Sequence, residues 1–218
     1  MELPDLPRLA GTIRAPDGAI YPEALATLTS DQLRDLGARY LTATRIQRKT
    51  DRPFFVDKLP ANFMFVGLIR LILPNARIID VRRHPLGCGV SLFRQHFATG
   101  HAFAYDLAEI GHHYADYVRL MALWDERFPG AVHRLIYEDL VADMEGEVRR
   151  LLDALGLPFD SACLRFHETA RAVRTPSAEQ VRRPLNADGL DQWRRYAPWL
   201  GPLEAALGDT LEDWRDKR

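Results

Sequence analysis

Ala76-Arg-Ile-Ile-Asp-Val-Arg-Arg-His-Pro-Leu-Gly-Cys-Gly-Val-Ser91 decides the fold. The run from Arg77 to Val81 is apolar enough to be a strand buried on both faces, as parallel strands are. It ends in two arginines, turns at His84-Pro85 and enters a small-residue helix that reaches Ser91. Strand, cationic turn and hydroxyl-bearing helix form an arrangement suited to phosphate. Arginine offers a planar fork of donors to phosphate oxygens. A helix N-terminus adds N–H groups and a favourable dipole. Arg83 and Ser91, across the turn from each other, can grip one phosphate. Arg82 points the opposite way in extended backbone and reads as structural.

Working outward, strands alternate with helices. Thr29-Ser30-Asp31-Gln32 is a capping-box start for a helix to about Thr44, with Leu33, Leu36 and Tyr40 on one face. Phe54-Phe55-Val56 reads as a short strand ending at Asp57-Lys58, and Asn62 to Leu73 as a helix closed by Pro74-Asn75. Leu107, Ile110, Tyr114, Tyr117, Met121 and Trp124 recur at helical spacing and predict a long core-facing helix. Val132 to Ile136 is the third strand. Asp143 caps a helix that stops at Gly156 and Pro158. A further helix is predicted from about Ser161 to Thr169, a loop over 172–189, and an amphipathic segment from Trp193 to Leu207. The class is α/β with a parallel sheet, and the motifs sit at strand ends, where such sheets bind ligands.

The spacing R-x-P-(x)5-S over Arg83, Pro85 and Ser91 resembles the 3'-phosphate segment of the sulfotransferases that use 3'-phosphoadenosine 5'-phosphosulfate (PAPS). Val56-Asp57-Lys58-Leu59-Pro60-Ala61-Asn62 is similar to the family's D-K-x-P-x-N segment. Ile136-Tyr137-Glu138-Asp139-Leu140-Val141 is similar to its Y-E-D-L-V segment. Val173 to Asn186 is similar to its late S-x-x-Q-V-x-x-P loop, with Trp193 following. The four occur in family order over roughly residues 50 to 200. They are most like those of bacterial sulfotransferases often joined to tetratricopeptide repeats, with tyrosylprotein sulfotransferases behind them.

The resemblance implies a P-loop NTPase-like parallel sheet flanked by helices, and transfer of a sulfuryl group from PAPS to a hydroxyl or amine. It implies donor binding by Arg83, Ser91, Tyr137, Ser177, Gln180, Val181, Arg182 and Arg183, with Glu138 bracing the fold. Lys58 would stabilise charge on the leaving oxygen, and Glu2 matches the family's acidic base position. His96 and His101 are other candidates for the base. The family's strand, phosphate loop and first helix have no match here; Ala10-Gly11-Thr12 is the nearest fragment. The expectation is one sulfotransferase domain over 1–218, truncated at its N-terminus, that alone transfers no sulfate. The alternative is a non-catalytic relative that binds a nucleotide or a partner. A kinase-like phosphotransferase is disfavoured by the missing GK[ST] and by the lack of a carboxylate pair for Mg²⁺.

Composition bounds the remainder. The net charge of −1 gives no electrostatic pull toward nucleic acid. No apolar run reaches the roughly 18 residues of a membrane span, and no signal peptide opens the chain. Cys88 and Cys163 have no metal or disulfide spacing. These features predict a cytoplasmic protein with no metal, no nucleic-acid partner and no membrane span. Its partner would be a small-molecule or peptide acceptor, with tetratricopeptide repeats possible upstream.

Overall fold

The computed structural model describes residues 2–48, 50–97, 100–169 and 180–215. The chain forms two compact units, residues 1–76 and 77–218.

The first unit is helical. α1 (Asp5–Ala10) is followed by an isolated antiparallel bridge between Arg14 and Ile20, then by a 3-10 turn at Glu23–Thr27. α2 (Ser30–Arg45) starts at the predicted capping box, where Thr29 and Gln32 each accept the other's backbone N–H. Leu36 and Tyr40 of α2 join Leu6, Leu9, Ile13, Leu68 and Ile72 in the core. Gly37 lets α2 approach α3 (Val66–Ile72), because a Cβ there would run into the carbonyl of Ile72. The predicted helix over 62–73 is divided: a 3-10 turn covers Pro60–Phe65, and Phe65 (φ −110°, ψ 9°) breaks the ladder before α3 begins. The predicted strand at Phe54–Val56 does not form. A strand exists only through a ladder partner, and this run has none among the described residues, with Val56 85% exposed.

The second unit holds a parallel pair, β1 (Ile78–Arg82) and β2 (Val132–Ile136), with Ile78 opposite Val132 and Arg82 opposite Ile136. The crossover carries α4 (Pro85–Phe93), a 3-10 turn at Ala102–Tyr105 and α5 (Leu107–Arg127). α6 (Tyr137–Ala142) begins directly at the end of β2. α7 (Met144–Leu155) runs from its Asp143 cap, which accepts from Gly146 N at 2.9 Å, to Gly156 in left-handed backbone (φ 69°). The segment predicted as a helix from Ser161 is a 3-10 turn, Ser161–Glu168, kinked at Arg165. The predicted segment from Trp193 to Leu207 is divided between a 3-10 stretch, Gln192–Trp199, and α8 (Gly201–Leu207); α9 (Thr210–Asp213) follows.

Leu86 and Val90 of α4, Ile110, Tyr114 and Val118 of α5, and Leu203 and Leu207 of α8 make this unit's core. Gly111 brings α5 close to α8, where a Cβ would stand 2.6 Å from that of Ala206. β1 departs from its expected burial on both faces. Asp80 and Arg82 are the buried side chains, while Val81 is 62% exposed. Charge can be buried here because it is paired and hydrogen-bonded. Arg82 meets Asp80 at 2.9 Å, donates to the Tyr117 hydroxyl at 3.2 Å and donates to the Trp214 carbonyl. Tyr117 in turn donates to Asp80, and Arg134 pairs with both Asp80 and Asp125. The prediction that Arg82 is structural holds.

Candidate functional site

β1 ends at Arg82, so Arg83 leaves the sheet on the side opposite the buried network. His84 is the residue before Pro85, and its extended backbone (φ −46°, ψ 128°) suits that position and turns the chain into α4. Pro85 has no N–H to leave unpaired, and no side chain caps the first turn of α4.

The Arg83 guanidinium lies over this turn. Its Nη1 donates to Ser91 Oγ at 3.2 Å, and its Nη2 donates to the Gly189 carbonyl at 2.5 Å. The Tyr137 ring lies 5.3 Å away, a cation–π distance. The guanidinium packs against Gly87, where a Cβ would come within 3.3 Å of Nε. That Nε is sealed from water without an acceptor among the described residues. A buried donor with no partner is uncommon in folded proteins.

The backbone behind Arg83 is held from two helices. The Arg83 carbonyl accepts from the Tyr114 hydroxyl of α5 at 2.6 Å. The His84 N–H donates to Glu138 Oε1 of α6 at 3.0 Å. The His84 ring stacks on Trp193 (5.0 Å, 8°) and meets Trp214 edge-on. Burial pushes the His84 pKa down, helped by Arg194, Arg215 and Arg83 and opposed by Glu138. Burial also raises the Tyr114 pKa, so its hydroxyl remains a donor across the working pH range.

In the first unit, the D-K-L-P-A-N segment folds on itself. Asp57 accepts from the Tyr40 hydroxyl at 2.6 Å and from Asn62 Nδ2 at 3.4 Å, which leaves Lys58 pointing outward. Burial, then Asp57, raises the Tyr40 pKa. Lys58 Nζ pairs with Glu2 at 2.5 Å, so the two predicted catalytic residues meet each other. The pair is exposed, and such pairs contribute only about 0–1 kcal/mol, so a ligand can displace one partner.

The family model described as "Sulfotransferase family" matches residues 7–161. The chain belongs to the sulfotransferase family. It is also 34% identical over 224 residues to an uncharacterized protein of Aquifex aeolicus (strain VF5). That alignment covers 99% of this chain and 29% of the relative, so the chain spans less than a third of that protein's length.

Of the residues predicted to bind a nucleotide donor, the structure brings together Arg83, Ser91 and Tyr137. Arg182 donates to the carbonyl of Thr169, Arg183 is exposed and Val181 is half-buried. Ser177 lies outside the described residues, as does the side chain of Gln180. Among the candidate bases, His96 is exposed, while His101 packs between Phe97 and Phe103. Sequence reading missed Gly189, which contributes only a carbonyl and so leaves no signature. It placed Tyr114 in the core stripe correctly, but periodicity says nothing of where a hydroxyl ends. Among the described residues no helix is long and apolar enough to cross a membrane, and no group of three or more metal-ligating side chains occurs.

Proposed function

We propose that residues 1–218 act as one domain of a sulfotransferase that moves a sulfuryl group from PAPS to a hydroxyl or amine of a small-molecule or peptide acceptor. The bond from sulfur to the bridging oxygen of the 5'-phosphate breaks, and a bond from sulfur to the acceptor atom forms. Adenosine 3',5'-bisphosphate leaves, and the acceptor's proton passes to a base. Arg83 and Ser91 hold the 3'-phosphate beside the Tyr137 ring. Lys58 supplies a cation for the charge that develops on the leaving oxygen, an electrostatic role that must be in place before reaction. Glu2 is the acidic candidate for the base. The late loop, with Ser177, Gln180, Val181, Arg182 and Arg183, covers the nucleotide. Exposed Ile79 and Val81 on one face of β1 suit a P-loop NTPase-like sheet, in which helices flank both faces.

The observation that carries this reading is the Arg83 fork, set on Ser91 of α4 beside the Tyr137 ring. Calorimetric titration tests it. Arg83→Ala should weaken binding of adenosine 3',5'-bisphosphate by about 2–3 kcal/mol, the loss of charge-assisted contacts, and leave 5'-AMP little affected. Equal losses for the two nucleotides would overturn the assignment.

A further inference from the structure

The carbonyl of Arg83 and the N–H of His84 belong to one peptide group, and each is bound by a side chain from a different helix. Tyr114 of α5 donates to the carbonyl, and Glu138 of α6 accepts from the N–H. This peptide lies just past the end of β1, where the ladder no longer supplies partners. Its plane sets ψ of Arg83 and φ of His84, and hence the direction in which the Arg83 side chain leaves the strand. We propose that Tyr114 and Glu138 are positioning residues: together they fix the Arg83–His84 peptide so that the guanidinium meets Ser91 and an incoming phosphate. This inference rests on the phosphate-binding role proposed for Arg83.

The chemistry of the clamp suits the task. Burial keeps Tyr114 protonated, so its donation does not vary with pH. A carboxylate is the stronger kind of acceptor for a backbone N–H. Its negative charge nevertheless stands close to an anion site, where Coulomb's law alone would disfavour it. Glu138 is therefore expected to help phosphate binding through geometry and to oppose it through charge, and the two effects can be separated.

The experiment measures affinity for adenosine 3',5'-bisphosphate and 5'-AMP, and amide exchange at His84, in the full 218-residue chain and four variants. Tyr114→Phe keeps the ring and removes only the hydroxyl. It should lower the preference for the bisphosphate about fivefold to tenfold, the size of one hydrogen bond. Glu138→Ala should do the same and speed exchange of the His84 amide. Glu138→Gln keeps an acceptor and removes the charge. It should retain slow exchange and bind the bisphosphate as tightly as the parent, or more tightly.

Bisphosphate binding that tightens in both Glu138→Ala and Glu138→Gln would show that Glu138 acts as a charge alone and overturn the clamp. So would a Tyr114→Phe protein with unchanged preference. Tyr114→Phe retains core volume and carries the test even if Glu138→Ala does not fold. Arg83→Ala separates the two levels. If it leaves the preference unchanged, or the parent shows no preference, the phosphate reading falls and the clamp with it. If Arg83→Ala abolishes the preference while Tyr114→Phe and Glu138→Ala preserve it, only the clamp falls.

Discussion

Adjacent arginines with opposite roles give the sharpest test of how β1 is built. Arg82 is 1% exposed and Asp80 7% exposed. Replacing Arg82 by Met keeps a long side chain in place but removes the partner of a buried carboxylate. Breaking a buried ion pair from one side costs about 3–5 kcal/mol, because the remaining charge is stranded. Arg134 still reaches Asp80 at 3.4 Å, which places the loss at the lower end of that range. The Trp214 carbonyl also loses its donor, which adds about 1 kcal/mol. Arg82→Met should therefore destabilise the second unit by about 3–4 kcal/mol. Arg83→Met, half-buried and outside the network, should cost under about 1 kcal/mol. Adding Asp80→Leu to Arg82→Met removes the stranded charge and should recover roughly half of the loss, since apolar replacement of a buried pair is often near neutral. All four tryptophans lie within residues 77–218, so urea unfolding followed by tryptophan fluorescence reports on this unit. An Arg82→Met protein within 1 kcal/mol of the parent would refute the reasoning. So would a double variant whose loss equals the sum of the two single losses.

Two further outcomes are expected. In a sulfate-transferring form of the protein, Lys58→Ala should lower kcat by roughly 10²-fold with a modest change in donor Kd, as fits a group that acts on developing charge; full turnover would exclude that role. Burial depresses the pKa of His84 below its ordinary 6.5, and that of His113 in the same direction, where His101 adds to the shift and Asp116 opposes it. Between the depressed values and 6.5 the unfolded chain binds more protons than the native one, so stability should rise with pH through that window and be lost as pH falls through it. His84→Gln should flatten the dependence seen by tryptophan fluorescence, and a stability that falls with rising pH would contradict it.

The local grammar of the chain was legible from its residues. The Thr29–Gln32 capping box, the Asp143 cap, the Gly156 stop and the stripe of α5 each depend on neighbours within a few positions, and each forms as expected. The strand expected at Val132–Ile136 forms with those bounds as β2, because β1 supplies its ladder partner. Arg83, Pro85 and Ser91 could be singled out because one turn carries all three. Phe54–Val56 shows where this grammar stops: apolar composition marks what a strand could be made of, but a ladder requires a partner from elsewhere in the chain.

The inverted burial of β1 was likewise settled by tertiary structure. Asp80 and Arg82 can lie inside only because Tyr117, Arg134 and the Trp214 carbonyl arrive from distant positions to satisfy them. The sequence by its spacing placed Arg83, Pro85 and Ser91 on one strand-to-helix turn. Only the tertiary structure decided that Gly189 meets Arg83, that Glu2 meets Lys58, and that Tyr114 and Glu138 hold the peptide between Arg83 and His84. These contacts join residues tens of positions apart through single hydrogen bonds, and no periodicity or spacing in the chain encodes them.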